Sequence, residues 1–270
     1  METFNISRFL QIIEKIKIKS NGNVSYQNDA EPDWGAIMQT GRQCRIYGLY
    51  SDAIWCYDQA ADITDYLNIP LDGKNKLKSS VLSAKAMCLS TMGNTNEALI
   101  VCEEAIKLNP NNYEAYCNKG IALRDIGKYR ESIIAHENAI NIKPDFQNSW
   151  NAIGQILVDK EKDYEKAIIY LEKAIELSEG QDTHAWINKG NALSYLGRLE
   201  EAFLCWETAY EIEPERNVHA MLNKAIWLFK GKNQKNESLI LLNQVRENIS
   251  VDNPYYREIT QLYNKILNDN

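Results

Sequence analysis

Residues 183–216 read THAWINKGNALSYLGRLEEAFLCWETAYEIEPER, and the spacing of their small residues decides the fold. Small side chains stand at Gly190, Ala202 and Ala209, and a large aromatic one stands at Trp186. In an α-helix, residues four apart lie on one face, so Trp186 and Gly190 share a surface. The stretch therefore predicts two short helices that approach each other closely where side chains are small.

The same three small positions recur in six consecutive windows of about 34 residues. All but one of the eighteen residues are Gly, Ala or Ser, and the exception is Val245. The first position holds Gly41, Ala86, Gly120, Gly154, Gly190 and Ala225; the second holds Ala53, Ala98, Ser132, Ala167, Ala202 and Ser238; the third holds Ala60, Ala105, Ala139, Ala174, Ala209 and Val245. One helical repeat can arise by chance, but six in phase predict a repeat protein.

Each window is predicted to form two helices joined by a tight turn. Between the first and second small positions lie mostly eleven residues, which include Gly48, Gly93, Gly127 or Gly197. In the window 113–146, we predict that Gly120 faces Ser132 and lets the two helices close, while Tyr116 and His136 fill the space beside them.

The order W-x2-L-G-x2-Y, then A-x3-F-x2-A, then P resembles the tetratricopeptide repeat. The clearest copy comprises Trp186, Gly190, Leu193, Ala202, Trp206, Ala209 and Pro214. The resemblance implies an all-α fold, a right-handed α-solenoid superhelix of stacked helix-turn-helix repeats. Residues 34–251 are assigned to six such repeats, with the bounds 34–67, 79–112, 113–146, 147–182, 183–217 and 218–251.

Two irregularities interrupt the repeat. An insertion at about 66–78 separates the first two windows, and we expect it to lengthen the second helix of the first repeat and to add a loop through 70–73. The fourth window has one extra residue in its turn, between Lys160 and Tyr164.

Three segments lie outside the repeats. Residues 1–19 are predicted to form an amphipathic helix, 20–33 a loop, and 254–268 a C-terminal capping helix that covers the last repeat. The apolar face of the first helix comprises Phe4, Phe9, Leu10, Ile13 and Ile16. This helix is expected to cap the first repeat, or to lie in a groove of the same chain or of a second copy, so a homo-oligomer is possible through it.

Composition narrows the class of partner. The hydrophobic content is 44% and the net charge is −7, which disfavours a nucleic acid because binding to phosphates needs clustered Lys and Arg. The apolar stretch near the N-terminus is broken by Glu14, Lys15, Lys17 and Lys19. We therefore expect no signal peptide, no membrane span and a cytoplasmic location.

Cysteine and histidine spacing predicts neither a metal nor a cofactor. The six cysteines, Cys44, Cys56, Cys88, Cys102, Cys117 and Cys205, show no C-x2-C pair, and we expect them to be buried or half-buried apolar residues within helices. The three histidines fall in three different repeats. No nucleotide-binding, nucleophile-elbow or zinc-protease motif occurs, so the sequence predicts no enzyme.

The candidate binding residues follow from the resemblance. In the family, the concave groove is lined by the second, fifth, ninth, twelfth and thirteenth positions of each window, and the sixth lies beside them. These positions hold Arg42, Arg45, Glu114, Asn118, Arg124, Asn151, Gln155, Asp159, His184, Asn188, Asn191, Tyr195 and Asn223. Amide side chains can donate to and accept from a peptide backbone, and Arg can pair with a carboxylate.

One subfamily grips a partner's C-terminal carboxylate with lysine, asparagine and arginine at set positions. Asn191 and Asn223 match two of those places, but Ile187 stands where lysine is needed. Such recognition is therefore not expected. The sequence predicts instead a non-catalytic protein-interaction scaffold that binds a peptide or helix in the groove. The alternatives are a structural homo-oligomer and, less favoured by the acidic charge, a helical-repeat RNA binder.

Overall fold

The computed structural model describes residues 34–214, 217–232 and 234–268, and within those ranges it contains helices and no strands. The predicted helix at 1–19 and the loop at 20–33 lie outside the described residues. The helices are α1 (Trp34–Ile46), α2 (Tyr50–Thr64), α3 (Leu71–Thr91), α4 (Thr95–Leu108), α5 (Tyr113–Asp125), α6 (Tyr129–Ile142), α7 (Gln147–Ile156), α8 (Tyr164–Leu177), α9 (Thr183–Tyr195), α10 (Leu199–Ile212), α11 (Val218–Lys232), α12 (Lys235–Asn248) and α13 (Tyr256–Leu267).

The helices form two compact units. The described residues of unit one lie between 34 and 128 and form α1 to α5, and those of unit two lie between 129 and 268 and form α6 to α13. Within each unit, every helix packs against the next one in the chain. In the predicted repeats, the odd-numbered helices α1 to α11 are the first helices (helix A), and the even-numbered helices α2 to α12 are the second (helix B). The all-α class and the consecutive packing of helix pairs are confirmed.

Glycine ends helix A in four of the repeats. Gly48, Gly93, Gly127 and Gly197 all have positive φ values, between 75° and 82°. At Gly197, the glycine amide donates to the Ser194 carbonyl at 3.1 Å and the Arg198 amide donates to the Leu193 carbonyl at 3.0 Å. Because these bonds require a left-handed residue, glycine allows the chain to reverse without strain.

The small residue of helix A lies directly under a large residue of helix B. A Cβ atom added at Gly190 would lie 2.5 Å from Nε1 of Trp206, and one added at Gly154 would lie 2.5 Å from Cγ of Leu171. Both distances are shorter than any real contact of this kind. We call this contact between helices A and B the seam of a repeat.

Three repeats show the same pairing of a glycine with a large residue at the seam. At Gly41, as in the two repeats above, the glycine faces the large residue four positions after the second small one, here Tyr57. The reason is steric, because a large side chain can be buried at a close helix crossing only where the opposite helix exposes bare backbone. Gly120 and Ser132 fall in different units, so the contact proposed for that pair stays a prediction.

The expectation that the insertion lengthens helix B of the first repeat is wrong. Helix α2 ends at Thr64, and the 21-residue helix α3 begins at Leu71, so the added residues extend the start of the next helix A. Pro70 stands immediately before α3, where its missing N–H costs no helical hydrogen bond. The ammonium groups of Lys74 and Lys78 reach back to Asp65, at 2.6 Å and 2.9 Å, and hold the extension to the loop.

The extra residue of the fourth repeat is absorbed by a wider helical turn. Helix α7 continues into a π-helical turn, Leu157–Glu161. Lys162 then adopts φ 56°, and the Asp163 amide donates to the Leu157 carbonyl at 3.1 Å. A π-helical turn adds one residue without breaking the helix, which explains why the next helix resumes in register.

The last helix, α13, packs against α12. Ile259 and Ile266 are fully buried and share a hydrophobic core with Leu242 and Val245 of α12. One face of this helix is therefore covered by the last repeat, as an end-capping helix requires.

The six cysteines are buried, as the sequence predicts. Burial raises the pKa of Cys102 to about 12 and those of Cys88 and Cys205 to about 11. A hydrogen bond with Cys56 is the main cause that raises the pKa of Cys44 far above its usual range. These thiols therefore stay protonated near neutral pH and pack as small apolar residues.

Candidate ligand-binding groove

Asparagine side chains connect successive A helices of unit two. The Asn188 Nδ2 group on α9 donates to Oδ1 of Asn151 on α7 at 3.2 Å. The Asn223 Nδ2 group on α11 donates to Oδ1 of Asn191 on α9, also at 3.2 Å. We call these four residues the amide ladder. All four are half-buried and belong to the predicted groove set.

An aspartate anchors one end of the amide ladder. The Asp182 carboxylate accepts hydrogen bonds from Nε2 of Gln147 at 2.7 Å and from Nδ2 of Asn151 at 3.1 Å. It also caps α9, because it accepts from the Ala185 amide at 3.0 Å. Sequence reasoning missed Asp182, although an aspartate just before a predicted helix start indicates an N-cap.

A tryptophan at the seam of the fifth repeat also bonds to the amide ladder. Nε1 of the buried Trp206 donates to Oδ1 of Asn191 at 3.2 Å. That oxygen therefore accepts two hydrogen bonds, one from the seam and one from Asn223. Both partners fix the orientation of the Asn191 amide, so its Nδ2 group is left with no acceptor among the described residues.

The spare polar atoms of the ladder alternate in kind. Since Asn188 and Asn223 each use Nδ2 to reach the preceding helix A, their Oδ1 atoms accept no hydrogen bond from the described residues. Asn191 leaves a donor, and its two neighbours leave acceptors. Half-buried, oriented amide groups of both kinds, with no further partner among the described residues, complement the groups that an extended peptide backbone presents.

The remaining predicted residues of unit two lie around the ladder. Tyr195 is 62% exposed, and its ring stacks on Tyr164 with the centroids 4.8 Å apart. Gln155 is half-buried and His184 is exposed. Asp159 lies on the π-helical turn, where desolvation raises the pKa of its carboxyl group and nearby Lys160 opposes the change.

Unit one carries the predicted arginines. Arg42 is exposed, whereas Arg45 is half-buried, with its Nη1 atom 3.8 Å from Sδ of Met87. The Arg45 Nε atom is buried and has no hydrogen-bond acceptor among the described residues. On α5, Arg124 pairs with Asp125 at 3.1 Å, and Glu114 is exposed.

Asn118 corrects the predicted set. This residue is only 8% exposed, and its Nδ2 group donates to the backbone oxygen of Ser83 at 2.8 Å and to the Ser83 hydroxyl at 3.2 Å. Its amide therefore joins α3 to α5 and is not accessible to a ligand. At the start of the same helix, Asn112 bonds Ser79 in the same way, with its Nδ2 group 2.8 Å from the hydroxyl.

Two further properties concern the described residues alone. They contain no group of three or more His, Cys, Asp or Glu side chains that could hold a metal ion. None of their helices has the length and hydropathy needed to cross a membrane.

Models of the tetratricopeptide repeat match the sequence in four places. The matched residues are 79–112, 101–134, 147–181 and 183–216. No curated protein matches the chain significantly.

Solved structures resemble the chain in fold. The structure of pilF from Pseudomonas aeruginosa covers 85% of this chain and 97% of its own, with 15% identity and a TM-score of 0.64. YrrB, described as a TPR protein with an unusual peptide-binding site, covers 77% and 97%, with 22% identity and a TM-score of 0.54. MamA from Desulfovibrio magneticus RS-1 covers 63% and 93%, with 20% identity and a TM-score of 0.56.

Tetratricopeptide repeats typically form non-catalytic scaffolds that bind other proteins. The repeat spacing, the paired helices with small residues at their seams and the four family matches agree on one family. The chain is a tetratricopeptide repeat protein.

Proposed function

We propose that unit two binds an extended peptide segment of a partner protein along α7, α9 and α11. The observation that supports this proposal is the amide ladder, with its spare acceptors on Asn188 and Asn223 and its spare donor on Asn191. In this role, the two acceptors receive peptide N–H groups and the donor meets a peptide carbonyl.

The side chains of the amide ladder are preorganised for binding. Each amide is already held by a hydrogen bond within the protein, so little side-chain freedom is lost when a ligand binds. Contacts to a peptide backbone provide affinity with little sequence preference. Selectivity comes from the groups beside the ladder, because Tyr195 offers an aromatic face and Asp159 favours a basic side chain.

Unit one is proposed to add a contact with an acidic group. Arg42 is exposed, Arg45 is half-buried, and neither has a carboxylate partner among the described residues. A ligand carboxylate would pair with the accessible part of these guanidinium groups. Glu114 and Arg124 remain proposed contacts on α5.

Other functions have less support. The alternative of a structural homo-oligomer that uses a groove or an edge stays open to test. An RNA-binding role is disfavoured because the net charge is −7. We propose that the scaffold is not catalytic and acts in the cytoplasm, where six buried thiols would stay reduced.

A random peptide library displayed on phage and selected on the full chain tests the groove. Calorimetry would then measure binding of the selected peptide to the native chain and to the variant Asn188→Ala/Tyr195→Ala. Loss of one hydrogen bond and one aromatic contact should weaken binding about tenfold or more.

Lys173→Ala provides the control, because Lys173 lies on helix B, where it pairs only with Glu176 at 2.8 Å. This change should leave the affinity unaltered. Failure to select any peptide, or equal losses in both variants, would contradict the proposal.

A further inference from the structure

The B helices of unit two present a large aliphatic residue to solvent at one fixed place in each repeat. These residues are Ile134, Ile169, Leu204 and Ile240, and they are 56%, 66%, 64% and 58% exposed. Each comes two residues after the second small position of its repeat. We call them the aliphatic stripe. In unit one, Ile100 stands at the same place and is 67% exposed.

Packing within the repeats does not explain the stripe. Two residues correspond to about 200° around an α-helix, so the stripe lies on the side of helix B opposite the seam. A single exposed aliphatic residue is ordinary, but one at the same place in four consecutive repeats indicates a surface used for contact.

The helix at the centre of the stripe is strongly acidic. Helix α10, which carries Leu204, contains four glutamates and no Lys or Arg. They are Glu200, Glu201, Glu207 and Glu211. Two of these glutamates are ion-paired, Glu201 with Arg198 and Glu207 with Lys224. On the next helix B, Lys235 and Arg246 balance Glu237 and Glu247, so the acidic part of the stripe is α10. The surface therefore combines apolar side chains with negative charge, which favours an apolar partner that is basic.

A cavity of about 390 Å³ adjoins the stripe at Ile134, between α6 and α8. It exists where the π-helical turn widens the end of helix A, because Leu157 and Glu161 line it. Its remaining charged lining comprises Arg130, Glu137, Asp163 and Lys166. This volume lies within the range of about 300 to 1,000 Å³ that is usual for ligand pockets. A side chain with an aliphatic stem and a cationic head suits such a lining.

We propose that the aliphatic stripe and its cavity bind residues 1–19 of a second copy of this chain. That segment combines the predicted apolar face with Arg8, Lys15, Lys17 and Lys19, which outnumber Glu2 and Glu14. Its charge is thus complementary to that of α10. Contact between two stripes would instead bring acidic helices together, which is unfavourable. The proposed association therefore joins residues 1–19 of one copy to the aliphatic stripe of another.

Sedimentation velocity of the full chain over a range of concentrations tests the proposal. The variant Ile169→Lys/Leu204→Lys should weaken self-association about tenfold or more, since it removes apolar contact and repels a basic segment. Both sites are exposed, so the unfolding midpoint should not change. The matched control is Leu71→Lys/Val251→Lys, at positions that are 73% and 70% exposed and lie outside the stripe.

A mixing experiment then identifies the donor and the acceptor. The variant Lys15→Glu/Lys17→Glu should also weaken self-association, because its segment no longer complements the acidic helices. An equimolar mixture of this variant with the stripe variant should recover association, since one supplies a native stripe and the other a native segment. Docking within one chain cannot produce that recovery.

Three results would overturn the proposal. One is a native chain that stays monomeric at its highest soluble concentration, and another is self-association that the stripe variant leaves unchanged. The third is a mixture that stays dissociated.

Discussion

The seams and the amide ladder both hold helices together, but they do so by different physics. At a seam, a glycine accepts a large side chain, as Gly190 does with Trp206, and the requirement is one of size. In the ladder, Asn191 must place one oxygen between two donors, and the requirement is one of direction. Seams join the helices within a repeat, whereas the ladder joins one repeat to the next and keeps polar atoms accessible.

This difference explains why the two regions suit different tasks. A close-packed seam loses stability when even one carbon atom is added, so it cannot adapt to a ligand. The ladder has hydrogen-bonding capacity left over, and its members are half-buried and not sealed. We therefore assign the stability of each repeat to the seams, and the proposed ligand binding rests on the ladder.

The largest effect is expected at a seam. Gly190→Ala would place a Cβ atom 2.5 Å from Trp206 Nε1, so urea denaturation should show a loss of about 1 to 3 kcal/mol or more in the free energy of unfolding. Gly73→Ala is the control, since its Cβ would lie 3.4 Å from the Ile69 side chain at the start of α3. That change should instead stabilise the chain by about 0.5 to 1 kcal/mol. Equal losses would contradict the steric role of the seam.

The second effect tests the link between seam and ladder. Asn191→Ala leaves the buried Nε1 of Trp206 without its acceptor, and thermal or urea unfolding should show a loss of about 1 to 3 kcal/mol. Asn223→Ala removes a donor from a half-buried site and should cost only about 0.5 to 1.5 kcal/mol. If Asn223→Ala costs more than Asn191→Ala, the ladder does not depend on the seam.

The seams were largely predictable from the sequence because side-chain size can be read directly from residue type. The three small positions and the turn glycines follow from spacing alone. The residue that packs against each glycine could not be predicted, since periodicity gives the face of a helix but not the residue opposite it. At Gly190, for example, the spacing gives the face of the glycine but does not show that Trp206 lies opposite it.

The ladder was predictable only as a set of positions. The resemblance to the family placed Asn188, Asn191 and Asn223 near a groove, but the bonds between them depend on inter-repeat geometry that no single window contains. Asn118 has the same place in its repeat as Asn188, yet Ser83 on the preceding helix A captures its amide. The π-helical turn could not be predicted from the sequence either, because an extra residue can be absorbed by a loop or by a helix.

The buried thiols at the seams predict a fall in stability with alkaline pH. The pKa of Cys102 is raised from 9.0 to about 12 in the folded chain. The neutral thiol is therefore favoured by folding. Its contribution is complete below the unfolded value and is lost as the pH rises from about 9 toward 12. The free energy of unfolding, followed by urea denaturation from pH 8 upward, should decline.

The control for this dependence is Cys102→Ala, which removes the titrating group. Its stability should fall less steeply than that of the native chain over the same pH interval. Parallel curves for the two proteins would assign the decline to other groups and remove the claim that the seam excludes the charged thiolate.

The ladder can be observed directly through its side-chain amide groups. Two-dimensional ¹⁵N NMR of the full chain, titrated with the selected peptide, should shift the NH₂ resonances of Asn188, Asn191 and Asn223. The shift of Asn191 should be largest because its Nδ2 group is the spare donor. The buried amide of Asn118 and that of Asn243, which is bonded to Glu247 on helix α12, should stay unchanged. Shifts confined to helix B amides, with the ladder resonances unmoved by a bound peptide, would contradict the account.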